Sequence, residues 1–196
     1  MSIIPHYQHC ATKMGSAYVM DLKSIVRTAL SDQAWLLVLL INDSVPMTHQ
    51  TSSAIAQRLL KNPGDISKLI TPIVGNDKAE DVMEALTEHL KLAAAMLPFV
   101  SSGTIGSFEG ENSVSEFYEQ GDEVADALSA LNKTILPYET VRDAISIHNQ
   151  YIVTLATSRY KGDSKLYLKT LDEYNQQFLS VADLLYTALH MAPHDY

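Results

Sequence analysis

A chain of 196 residues supports one sizeable hydrophobic core and is short for two ordinary domains. Its 46% hydrophobic and 19% charged content is that of a globular protein, not a disordered one. With 14 basic against 23 acidic residues the formal charge is -9, so the surface repels phosphate backbones, and no Lys/Arg run or basic-aromatic cluster offsets this; nucleic acid is not an expected partner.

Residues 1–16, with Pro5, Gly15 and histidines of no fixed spacing, read as an irregular N-terminal arm. Met1 to Gly15 has no positive start followed by an apolar run, so it does not read as a secretory signal. Cys10 is the only cysteine, which excludes an internal disulfide and any zinc site needing two cysteines of one chain, and fits a reducing, cytoplasmic setting. The bundle domain is expected over 17–192, with 193–196 a tail.

From about Ala17 to Asn42, apolar residues recur at Leu22, Ile25, Val26, Ala29, Leu36 and Leu40, which is helical spacing. The longest apolar run, Ala34 to Ile41, falls short of the ~20 residues that span a bilayer. It is expected to be a helix segment buried on all sides, with no membrane partner. Asp43-Ser44 and Pro46 break the pattern. A shorter helix follows over about Thr48 to Lys61, and Asn62-Pro63 reads as an N-cap with proline at the first position of another short one.

Gly75-Asn76-Asp77 separates this from a helix over Lys78 to Phe99, with its stripe at Val82, Leu86, Leu90, Ala93 and Leu97. Ser101 to Gly110 holds three of the eight glycines and reads as the clearest flexible loop. The helix expected from about Ser113 to Asn132 carries Phe117, Val124, Leu128 and Leu131, and contains Gly121, a local weakness of up to ~1 kcal/mol relative to Ala. Pro137 opens the next helix, Lys161-Gly162-Asp163 forms a turn with an N-cap, and a last long helix stops before Pro193. No alternating strand pattern or fixed repeat is present. The expectation is an all-α, up-and-down antiparallel bundle of about five long helices and two short ones.

Each long helix carries one polar residue within its apolar series. Asp32 falls between Ala29 and Leu36, His89 between Leu86 and Ala93, and Gln120 between Phe117 and Val124. His148 falls between Ile145 or Ala144 and Tyr151 or Ile152, and Asn175 between Leu171 and Phe178. Steps of three and four point such residues inward, where an unpartnered polar group is costly. If they converge, His89, His148 and Asp32 supply a two-histidine, one-carboxylate shell for a first-row divalent metal, supported by Gln120 and Asn175. The alternative is a buried hydrogen-bond network with no ion, or residues at the stripe edge that meet water.

Other chemistry is thinly represented. There is no Glu-x-x-His or His-Glu-x-x-His pair, no Gly-x-Ser-x-Gly elbow, and Gly103 and Gly106 lack the Lys-Ser/Thr of a phosphate loop. Asp122, Glu123 and Asp126 read as a solvated helix face. Met83 and Met96 read as core filling, and His6, His9, His190 and His194 as exposed terminal residues.

An ordered series of short stretches carries a resemblance covering roughly Leu22 to Leu189. It includes Arg58 to Asn62 with Asp65-Ile66, Pro72 to Gly75, Leu86 to Leu90, Phe117-Tyr118, Ala125 to Ser129, His148, Ser158 to Tyr160, Leu171-Asp172 and Ala182-Asp183. In these the chain resembles a family of small helical-bundle proteins found mainly in bacteria, often labelled glycosyltransferases although their residues do not support that activity. The resemblance implies a helical bundle with His89 and His148 at matching positions. It also implies a divergent member: the family favours histidine at Asp32 and at Asn175, asparagine at Gln120 and an acidic residue at Leu155. Trp35 matches the start of a family Trp-Thr-Arg element, whose polar pair is replaced here by Leu36 and Leu37.

With several family-type ligands missing and no complete catalytic set, the expected function is non-catalytic, by association with a protein partner or with itself. The metal-binding or metal-dependent bundle is the competing expectation. The first requires an exposed apolar patch on a helix face.

Overall fold

The computed structural model describes residues 16–44 and 49–191, with side chains over 22–44 and 53–191. The expected arm at 1–16 and tail at 193–196 therefore fall almost wholly outside the described residues. Seven helices follow in order: α1 (Ser16–Ser44), α2 (His49–Leu59), α3 (Asn62–Val74), α4 (Asn76–Ser101), α5 (Phe108–Leu131), α6 (Tyr138–Lys161) and α7 (Ser164–His190). The protein is all-α, and no strand occurs among the described residues.

Long-range bonds fix how the helices run. Arg27 near the start of α1 meets Asp183 near the end of α7, whereas Asn42 near the end of α1 donates to Tyr167 near the start of α7 at 2.8 Å. The two are antiparallel. Gln177 donates to the Ala144 carbonyl at 2.8 Å while Tyr174 packs on His148, so α6 and α7 are antiparallel too. Helices α4 through α7 thus form successive antiparallel neighbours, α1 closes against α7, and α2 and α3 bridge α1 to α4.

The core uses the three-and-four spacing of each helix. Leu22, Val26, Leu30, Leu37 and Ile41 are buried on α1, Val82, Leu86, Leu90 and Ala93 on α4, and Phe117, Val124 and Leu128 on α5. Each such Leu, Val, Ile or Phe side chain contributes roughly 1.5–3 kcal/mol by leaving water. The stretch Leu22–Ser44 is long and apolar enough to cross a membrane by length and composition. Of its apolar window 44% is buried in the bundle, and Arg27 within it is ion-paired with Asp183.

Several local expectations change. Asn62 is not the cap of α3: its side chain is buried and donates from Nδ2 to the Ala29 carbonyl at 3.0 Å, tying α3 to α1. The Ser101–Gly110 segment is not a free loop. The Thr104 amide donates to the Phe99 carbonyl at 2.9 Å, and the Ser107 side chain accepts from the Gly110 amide at 3.1 Å, capping α5. Helix α5 accordingly starts at Phe108, earlier than the periodicity suggests. The Asp163 cap is present, accepting from the Leu166 amide at 3.0 Å after Gly162 at φ 69°.

Candidate functional site

Three buried polar residues, His89, His148 and Asn149, come together inside the bundle. His89 on α4 stacks on Phe117 of α5 with ring centroids 4.6 Å apart, and its centroid lies 6.3 Å from that of His148 on α6. His148 in turn stacks on Tyr174 at 5.3 Å and meets Phe178 at 5.1 Å, both on α7. Four long helices therefore meet in one layer of imidazole, phenyl and phenol rings. Asn149 is fully buried beside it and donates to the Phe117 carbonyl at 3.4 Å.

Hydrogen bonding in this layer is incomplete. Neither nitrogen of His89 has a hydrogen-bond partner, and Asn149 Oδ1, Tyr174 Oη and Gln177 Oε1 are also unpartnered. Burial pushes the His89 imidazole down to about 4; Asn149 is close enough to oppose the shift but is not aligned for a hydrogen bond. Burial, then the field of His89, pushes His148 down to about 3 against a weaker opposing effect of Gln177. Burial raises the Tyr174 phenol. All three groups are neutral at ordinary pH.

Only two of the five residues expected inward on the sequence meet here. Asp32 is exposed on the outer face of α1, and its neighbour Gln33 is the buried one. Asn175 is half-buried on the flank of α7, where Tyr174 takes the inward position. Gln120 is half-buried and reaches the Ala85 carbonyl at 3.5 Å. Neutral imidazoles are the metal-binding form of histidine. But the expected carboxylate points to solvent, and among the described residues no group of three or more His, Cys, Asp or Glu side chains is placed to hold an ion.

Above the α5–α6 contact lies an open surface groove of about 340 Å³, lined by residues that include Tyr118, Gly121, Asp122, Arg142, Ile145 and Ser146. Arg142 is engaged there by Glu139 at 3.4 Å and Asp143 at 3.9 Å.

The second notable feature lies on the outside. The Ala34–Ile41 run is not buried all round: Ala34, Leu37, Val38, Leu40 and Ile41 face the core, but Trp35 is 52% and Leu39 49% exposed. They sit four residues apart, on the same stripe as Thr28 and Asp32. Across the α1–α7 contact, Leu168 is 60% and Leu179 45% exposed. Leu179 lies one turn before Asp183, the partner of Arg27, and Leu168 lies beside Tyr167, the partner of Asn42. These exposed side chains lie on α1 and α7, two helices that pack against each other along a seam.

Polar contacts close both ends of the seam. At one end Arg27 donates twice to Asp183, both bonds 2.6 Å, which holds the Asp183 carboxyl below the usual carboxylate range. At the other, Arg159 donates to Asn42 Oδ1 at 3.1 Å and Asn42 donates to Tyr167. Between Arg27 and Asn42 the rise of an α-helix gives roughly 22 Å. The sequence reading missed this seam because an apolar residue in an apolar run looks like core whichever way it faces. Polar Ser31 and Asp32 just before Trp35 were the available signal that one side of α1 meets water.

Comparison with protein-family models, with curated proteins and with solved structures finds no match for this chain. The functional reading rests on the geometry of the chain itself.

Proposed function

We propose that this protein is a non-catalytic association module whose docking face is the α1–α7 seam. The observation that carries the reading is the pair Trp35 and Leu39, about half exposed one turn apart on α1, with Leu168 and Leu179 also exposed on the α7 helix that packs against it. Scattered exposed apolar residues are ordinary, but a half-exposed tryptophan with a leucine one turn away has the composition of an interface centre. The buried histidine layer supports the same reading from the other side. Its imidazoles are neutral and ring-packed, and no carboxylate among the described residues is one of the groups that shift them, which suits a layer that holds helix register better than one that turns over a substrate.

The test is site-specific photo-crosslinking in cells, with a benzophenone side chain in place of Leu39 and, as control, in place of exposed Glu116 on α5. A discrete adduct is expected at position 39 and not at 116, and Leu168→Glu removes it. Equal adducts at both positions, or none at 39, contradict the reading.

A further inference from the structure

We propose that His89 and His148 form a two-ligand site for a soft monovalent metal ion, of which Cu(I) is the biological case, linking α4 to α6. The inference is independent of the docking face. Its first support is distance. Two nitrogens bound to one ion from opposite sides, at about 2.0 Å each, hold their imidazole ring centres about 6 Å apart, whereas a tetrahedral ion draws them to about 5 Å. The His89 and His148 centroids are 6.3 Å apart.

The second support is the set of unpartnered atoms. His89 is 2% exposed, and neither of its nitrogens has a hydrogen-bond partner. An amide stands beside each imidazole, Asn149 at His89 and Gln177 at His148. The nitrogen of each amide is anchored to a backbone carbonyl, Asn149 to Phe117 at 3.4 Å and Gln177 to Ala144 at 2.8 Å. The oxygen of each is unpartnered. An imidazole that ligates an ion through one nitrogen donates its other N–H to an oxygen acceptor, which fixes the ring. Asn149 Oδ1 and Gln177 Oε1 supply one such acceptor per ring.

The third support is the choice of ion. Burial keeps both imidazoles neutral, so protons do not compete for them at neutral pH. It also keeps the Tyr174 phenol protonated, and no carboxylate shifts either histidine, so no anionic donor joins the pair. Without one, a divalent ion loses far more on leaving water than a monovalent ion does. Zinc asks for four donors, whereas Cu(I) accepts two imidazoles in line. Phe117 stacked on His89 and Tyr174 stacked on His148 keep water from the pair. Such an ion has no open position, so it fixes helix register and is not a reaction centre.

The test uses the full-length protein, free of any tag and carrying Cys10→Ser so that its only thiol does not compete. It is titrated anaerobically with Cu(I) against the chelator bicinchoninate. One ion per chain is expected, with the melting temperature raised about 5–10 °C at a hundredfold excess over Kd. NMR of the imidazoles is expected to show His89 and His148, two of the seven histidines, shifting together. His89→Leu and His148→Leu are each expected to weaken the ion about a hundredfold or more, with circular dichroism of the parent showing that they fold. Unmoved His89 and His148 signals in the parent overturn the proposal without any variant. An equivalent of Cu(I) that survives both substitutions belongs to the terminal histidines and overturns it too. So does zinc held as tightly as Cu(I), or no ion retained against the chelator.

Discussion

Protonating His148 sets a charge among the rings of His89, Tyr174 and Phe178, and no carboxylate among the described residues offsets its shift. The unfolded chain titrates histidine near 6.5, whereas the folded protein holds His89 at about 4 and His148 at about 3. Between those limits the unfolded state binds more protons, so stability is complete above about pH 6.5 and declines as the pH falls toward the folded values. Each group contributes at most about 1.4 kcal/mol per pH unit. His148→Leu is therefore expected to shrink the stability difference between pH 7 and pH 5 by about 2 kcal/mol, read from urea unfolding at the two pH values. An unchanged pH dependence would show that His148 is not buried neutral. These two histidines were legible in the sequence because Leu86, Ala93, Ile145 and Ile152 on either side are all buried. Asp32 and Asn175 were misplaced because Ala29, Leu36 and Leu171 are only half-buried. A series stepping by three and four fits the edge of a stripe as well as its centre, and only the neighbouring helices decide between them.

Helix pairing reverses the meaning of Gly121. By intrinsic propensity alone, alanine there improves α5 by up to ~1 kcal/mol. In the bundle, a Cβ on Gly121 would lie 2.9 Å from Asn149 Nδ2 and 3.0 Å from Ile145 Cγ2 on α6. Asn149 is fully buried and bonded to the Phe117 carbonyl, so it has little room to withdraw. Gly121→Ala is expected to lower unfolding stability by about 1–3 kcal/mol, through overpacking at the α5–α6 contact. A stabilised variant in the same denaturant assay would mean that the helices do not approach this closely. The same limit on local reading applies to Asn62, whose place before Pro63 fits a cap but whose side chain serves α1. Gly110 behaves similarly: its absent Cβ leaves room for the carbonyls of Thr104 and Ile105 against the first turn of α5. Such partners are distant or folded back, and nothing in a window of neighbouring residues announces them.

At the scale of the molecule, periodicity was enough to read seven helices and an all-α bundle, because each long helix keeps its apolar positions in step over several turns. The ring order of those helices decides which side of α1 is covered, and that order is set by pairings such as Arg27 with Asp183 and Gln177 with Ala144. The Trp35–Leu39 side is the part left uncovered, so the seam became visible only once the helices were assembled. A protein whose central polar layer is neutral and sealed, and whose outer face exposes Trp35, Leu39, Leu168 and Leu179, has its available chemistry on the outside. The most direct measurement is ¹⁹F NMR of protein labelled with 5-fluorotryptophan, since Trp35 gives a single resonance. With the seam occupied in living cells, that resonance is expected to shift and broaden relative to dilute purified protein, and Leu168→Glu returns it to the purified position. An identical resonance in both settings would contradict the account.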